Sequence, residues 1–277
     1  MIKKMSLIAT LLLVAGNVHA AGSRTDEGIG FYVGIDTQLV VPSGVYAGVA
    51  NPNANRLTFL MEHGNHYHGI GTYSLSGDAP GTVLDTNTNN RLPETYTGED
   101  PIPLVAGSGD WSGTWRSSLD VETEYKYLGM ASPQSLNDLG GPDSAADVLF
   151  HSSGDRWSAA FQGVTVGLKL LSASEGLNIG IEGDHDIFDT SDVYVLGDSL
   201  DFTFLPIFWT DAAAAAGTYS AEFQLVNVGT NTNVRDSGRF YIDVAVAPVP
   251  EPETYAMVAV GLLVLATIRR RSLKKNA

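Results

Sequence analysis

The chain contains no cysteine. That absence removes disulfide staples, thiolate zinc sites and cysteine nucleophiles together. The core must hold by burial alone, and any metal must be taken by histidine, aspartate or glutamate. Positive charge is also scarce: 16 Lys and Arg stand against 31 Asp and Glu in 277 residues, a formal net charge of −15. Two of those basic residues precede residue 20 and five follow Glu253, while Glu253 is the only acid in either end. The segment between is therefore more acidic still, as suits a secreted protein or one that collects cations. Nucleic acid is not an expected partner, because binding it rests on neutralising phosphates with Lys and Arg. The chain also lacks a G-x-S-x-G elbow, a P-loop, an H-E-x-x-H helix and a dinucleotide fingerprint, so an enzyme is not expected.

Sustained helical periodicity is missing too. Ser132 to Leu139 offers a turn or two, and the alanine run Ala212 to Ala216 a short helix or a packed loop. Glycine, by contrast, is abundant (30 residues), and Asn, Ser, Thr and Asp recur at short intervals. Between them stand short β-branched or alternating runs: Gly30 to Gly34, Leu57 to Met61, Gly71 to Leu75, Val164 to Leu171, Asp192 to Leu196, Phe223 to Val228 and Phe240 to Val246. Strands of this length between turn residues predict an all-β fold, an antiparallel β-sandwich. Thr88 to Pro103 reads as a long polar loop, the kind that carries function or moves.

An internal echo suggests two related lobes, 21–140 and 141–248. Leu57-Thr58-Phe59-Leu60 precedes Gly71-Thr72-Tyr73-Ser74, and Phe202-Thr203-Phe204-Leu205 precedes Gly217-Thr218-Tyr219-Ser220. Each reads as a strand, a connection and a Gly-led strand. The first connection holds histidines, the second Trp209 and five alanines.

The two ends carry addresses. Residues 1–20 pair Lys3 and Lys4 with an apolar run from Leu7 to Ala15 and a Val18-His19-Ala20 cleavage pattern, which predicts a signal peptide cut by signal peptidase. Residues 249–277 begin Val249-Pro250-Glu251-Pro252, continue as an apolar stretch from Tyr255 to Ile268 and end on Arg269, Arg270 and Arg271. Fourteen residues rise about 21 Å as a helix, short of the ~30 Å hydrocarbon core, and the arginines mark the cytoplasmic side. The order VPEPETYAMVAVGLLVLATIRRR resembles the PEP-CTERM sorting signal. That resemblance implies recognition at Pro250, Glu251 and Pro252 by an exosortase-type membrane protease. It also implies delivery to the cell surface or medium, with transient or retained single-pass anchoring, in bacteria that make exopolysaccharide.

Three of six histidines fall in Glu62-His63-Gly64-Asn65-His66-Tyr67-His68. On an extended backbone His66 and His68 share a face, because side chains alternate with period two. Gly64 and Asn65 permit the bend that brings His63 round. Neutral imidazoles suit zinc at about 2.0–2.1 Å, and also copper or nickel. Candidates for a further donor are Glu62, His151 and His185, the last flanked by Asp184 and Asp186. Calcium is a second candidate ion, for the acidic set Asp184, Asp186, Asp189 and Asp192. Trp111, Trp115, Trp157 and Trp209 offer either core or a sugar-stacking platform.

Taken together, HGNHYHGIGTYS, TNNRLPE, SSGDRWS and LPIFWTDAAAAAGTYSAEF resemble a family of PEP-CTERM proteins repressed by the zinc-uptake regulator Zur. The resemblance implies zinc binding by the His-rich segment, at His63, His66 and His68, and a part in zinc capture. The expectation is a non-enzymatic surface protein that binds zinc and serves capture or buffering when zinc is scarce, with zinc-uptake components or exopolysaccharide as partners. The alternative is a structural or adhesive matrix component without a metal role.

Overall fold

The computed structural model describes residues 30–63, 66–84, 90–121, 123–126, 128–132, 154–198 and 202–248, with the backbone alone of His63. The signal segment, the sorting tail with Pro250, Glu251 and Pro252, His151, and nearly all of the Ser132 to Leu139 stretch lie outside the described residues.

The described chain is almost entirely β, as its turn-punctuated pattern predicts. The first half supplies β1 (Phe31–Asp36), β2 (Leu57–His63), β3 (His66–Ile70), β4 (Ser74–Ser76), β5 (Thr82–Leu84), β6 (Arg91–Leu92), β7 (Ile102–Ala106), β8 (Thr114–Arg116) and β9 (Met130–Ala131). The second supplies β10 (Trp157–Ser158), β11 (Thr165–Ala173), β12 (Asn178–Gly180), β13 (Val193–Asp198), β14 (Thr203–Phe204), β15 (Ile207–Asp211), β16 (Gly217–Asn227) and β17 (Arg239–Val246). One 3₁₀ turn, Gly109–Trp111, interrupts them. The alanine run after β15 is a turn and a loop into β16.

Two large sheets result. One runs β14-β9-β1-β2-β3, with β10 also on β1; the other runs β12-β15-β8-β7-β17-β16-β11-β13, with β6 on β17. The expected division near residue 140 does not separate them, because each sheet draws strands from both sides of it. The pairing is also not purely antiparallel: β9 lies parallel to β1, and β6 and β7 lie parallel to β17. Hairpins read from local sequence cannot foresee such pairs, since parallel neighbours need long crossovers.

The core lies between the sheets and is threaded by phenylalanines. Phe59 on β2 stacks on Phe31 at 5.2 Å between ring centroids and meets Phe240 of β17 at 5.3 Å. Phe240 meets Phe223 at 5.9 Å, and Phe223 meets Phe208 at 6.2 Å. All four of Phe59, Phe208, Phe223 and Phe240 are buried. Such offset and edge contacts add to the area term of burial.

The echo between residues 57–74 and 202–220 is only partly structural. Gly217 to Ser220 opens the long strand β16, but Gly71 to Tyr73 is not a strand. Gly71 has a φ of +71°, and a Cβ there would stand 2.9 Å from the Gly238 carbonyl oxygen. The backbone turns where only glycine fits without strain, and β4 begins at Ser74. Of the expected loop from Thr88 to Pro103, the described residues from Asn90 onward form a strap laid on the fold. Asn90 is buried, its Oδ1 accepts the Gly71 and Thr72 N–H groups at 3.0 Å each, and its Nδ2 donates to the Thr72 carbonyl at 2.8 Å. β6 follows on the edge of β17, and Arg91 pairs with Asp243 while stacking over Tyr241 at 4.6 Å. This sewing brings residues 93–97 against the histidine hairpin.

Candidate metal site

The histidines lie at the free edge of a sheet. β2 and β3 form an antiparallel hairpin whose register sets His63 opposite His66, Met61 opposite His68 and Phe59 opposite Ile70. Phe59, Met61 and Ile70 are fully buried. By the alternation of strand side chains, His68 and His66 continue that inward face to where the core ends. Tyr67 points the other way and is itself buried, meeting Tyr32 edge-on at 5.6 Å. The expected common face of His66 and His68 is therefore what the hairpin presents.

The two imidazoles converge. His66 Nε2 stands 2.8 Å from His68 Nε2, with ring centroids 4.8 Å apart. On its far side His68 Nδ1 lies 3.1 and 3.2 Å from the two oxygens of Glu94, and 3.0 Å from the Tyr96 hydroxyl. A carboxylate oxygen accepts, so the tautomer that satisfies this contact carries its proton on Nδ1 and turns the Nε2 lone pair toward His66. Glu94 is itself buried, at 2% exposure. Its second partner is the Tyr96 hydroxyl, which donates to Oε2 at 2.8 Å. Its carbonyl accepts from Thr97 Oγ1 at 2.7 Å and from Thr97 N at 3.0 Å. Partial burial of the Tyr96 hydroxyl, and then its hydrogen bond to the Glu94 carboxylate, hold that phenol protonated well above the ordinary tyrosine range.

The arrangement is a carboxylate–histidine pair with an outward-facing nitrogen and a second imidazole beside it, the form in which proteins orient metal-ligating histidines. Tetrahedral ligands at 2.0–2.1 Å from zinc stand about 3.3 Å apart, so the Nε2 pair needs to open by only about half an ångström. Among the described residues no group of three or more His, Asp or Glu forms a ready metal cage.

The other expected donors are placed as follows. Glu62 pairs with Tyr67 and accepts a hydrogen bond from Tyr32 at 3.2 Å, on the face of the sheet away from His66 and His68. His185 stands beyond the edge strand β12 of the other sheet, stacked on Trp111 at 4.0 Å and edge-on to Trp209 at 6.0 Å. Asp184 and Asp186 cap their own turn, accepting the Asp186 and Phe188 N–H groups at 3.2 and 3.0 Å, while Asp192 meets Lys169 at 3.2 Å. Of the two readings offered for Trp111, core or sugar-stacking platform, its burial at 1% exposure fits the first.

Glu94 and Tyr96 were missed as site residues in the sequence. The only signal was that the segment TNNRLPE ends on Glu94, inside a loop long enough to carry function. Beneath them Tyr125 is 1% exposed, and burial pushes its phenol pKa up. A raised tyrosine pKa means that the folded chain keeps a proton which the unfolded chain loses. Stability is unaffected below pH ~10 and falls as pH rises beyond it. Chemical denaturation followed between pH 8 and 11 is expected to show that fall, and a shallower one for Tyr125→Phe. A midpoint that does not move up to pH 11 contradicts this placement of Tyr125.

Compared with known protein families, curated proteins and solved structures, the chain matches none of them. Among the described residues no helix is long and apolar enough to cross a membrane.

Proposed function

We propose that this is a non-enzymatic, exported surface protein that binds zinc at the edge hairpin. His66 and His68 supply the ligating nitrogens, and His63 joins them as the residue opposite His66 in the register. The observation that carries the reading is the pair of converging Nε2 atoms at 2.8 Å, with the buried carboxylate of Glu94 behind His68. A buried acid against one ring nitrogen has a clear use if the other nitrogen holds an ion, because it fixes the tautomer and raises ligand basicity. Zinc bound there is cargo or a structural clip for the hairpin. The signal segment and the Pro250-Glu251-Pro252 tail support delivery outside the cytoplasm, where an acidic surface attracts cations.

The test is zinc titration of the purified chain by calorimetry with parallel metal analysis, for the wild type and the His63/His66/His68→Ala variant. The expected result is near one ion per chain in the wild type, with affinity lost by at least about a hundredfold in the variant. Binding unchanged by the triple substitution removes the site. Glu94→Ala is expected to weaken zinc by about 10–100-fold while His66 and His68 remain. If Glu94→Ala binds zinc as the wild type does, the carboxylate merely packs the strap.

A further inference from the structure

The second feature that invites a ligand lies away from the histidines, where β14 and β15 pass between the two sheets. A cleft of about 520 Å³ opens there, within the range that holds small molecules. Its lining is largely apolar, with Phe204, Leu205, Pro206, Ile207 and Tyr194. Leu205 is 40% exposed and Leu119, on the rim, 41%. Arg116 and Lys126 also line the cleft.

Two cations in one cleft are unexpected in so acidic a chain. Four other basic side chains pair with carboxylates, Arg91 with Asp243, Arg156 with Asp36, Lys169 with Asp192 and Arg239 with Glu222, and Arg56 and Arg235 donate to backbone carbonyls. Arg116 is held differently. Its Nε donates to the Ser117 carbonyl at 3.1 Å, and its guanidinium lies over the Trp111 ring at 5.0 Å. Trp209 is its cross-strand neighbour, and Trp111 is itself stacked with His185. Backbone and ring thus fix the plane of the guanidinium, while its two Nη groups have no acceptor among the described residues. A planar fork held in place with both Nη groups unused is suited to bidentate capture of a carboxylate. Glu182, the carboxylate on the lining, is exposed at the lip and makes no ion pair with Arg116.

We propose that this cleft binds a small organic carboxylate with an apolar body, its carboxylate on Arg116 and its body on Leu205, Pro206 and Ile207. Three probes of similar size separate the parts of the proposal when titrated calorimetrically into the full chain. They are cyclohexylacetate, its neutral amide cyclohexylacetamide, and the polar carboxylate gluconate. Cyclohexylacetate is expected to bind once per chain, about tenfold or more tighter than the amide, because a charge-assisted hydrogen bond is worth at least that factor. Gluconate is expected to bind more weakly than cyclohexylacetate. Arg116→Gln is expected to erase the preference for acid over amide. Leu205→Ser, at a position 40% exposed, is expected to weaken both cyclohexyl probes. No heat with any probe, equal binding of acid and amide, or a preference that survives Arg116→Gln overturns the carboxylate site. Gluconate binding as tightly as cyclohexylacetate overturns the apolar half of it.

Discussion

Arg156→Ala is expected to cost about 3–5 kcal/mol of stability, the range for leaving a buried charge without its partner. Asp36 closes strand β1 and is fully buried. Arg156 Nε and Nη2 both donate to its Oδ2, at 2.8 and 2.5 Å. Asn51 Nδ2 reaches the same oxygen at 3.1 Å, and the Gln38 N–H donates to Oδ1 at 3.0 Å. With Arg156 gone, an amide and one N–H face a full negative charge in the interior. The same arginine stacks over Trp157 at 4.5 Å, so its loss also loosens the β10 seam on β1. Urea titration followed by circular dichroism measures the effect. The double variant Asp36→Asn/Arg156→Met is expected to lose less than the single one, because it removes the charge together with its partner. A single variant within about 1 kcal/mol of the wild type contradicts a buried, dependent carboxylate.

That ion pair also marks where reading the sequence stopped. SSGDRWS stood out as a segment, but nothing in it names Asp36, 120 positions away, as the partner of Arg156. The strands that were legible are those that coincide with β-branched or alternating runs: β1, β2, β11, β13, β16 and β17 all overlap the expected runs. Those that were not legible are short or polar. β3 was missed because its exposed and half-buried histidines interrupt any apolar pattern, and β7 and β8 because Pro103 and Arg116 read as loop. The site divides the same way. The shared face of His66 and His68 follows from local parity. Glu94 reaches His68 only because Asn90 pins the strap to Gly71 and Thr72, a long-range arrangement that residue spacing does not encode. The parallel strands β6 and β7 beside β17 are likewise products of packing, with more than 140 residues between partners.

Phe59→Ala joins core to site in one measurement. Phe59 is fully buried, paired with Ile70 at the far end of the histidine hairpin, and its ring links Phe31 of its own sheet to Phe240 of the opposing one. Truncating such a ring is expected to cost about 3–5 kcal/mol, through lost transfer energy and the cavity left between the sheets. A small loss would mean that the sheets do not meet at this ring. The same titration repeated with zinc tests the coupling of metal to fold. An ion that binds the folded hairpin and not the open chain adds about 2.7 kcal/mol at a hundredfold excess over its dissociation constant. The increment is expected in the wild type and in Phe59→Ala, whose histidine end is built from other residues, and not in His66→Ala/His68→Ala. An equal zinc increment in the double histidine variant would place the ion elsewhere on the acidic surface. No increment in any of the three would leave the hairpin without the metal that its geometry suits.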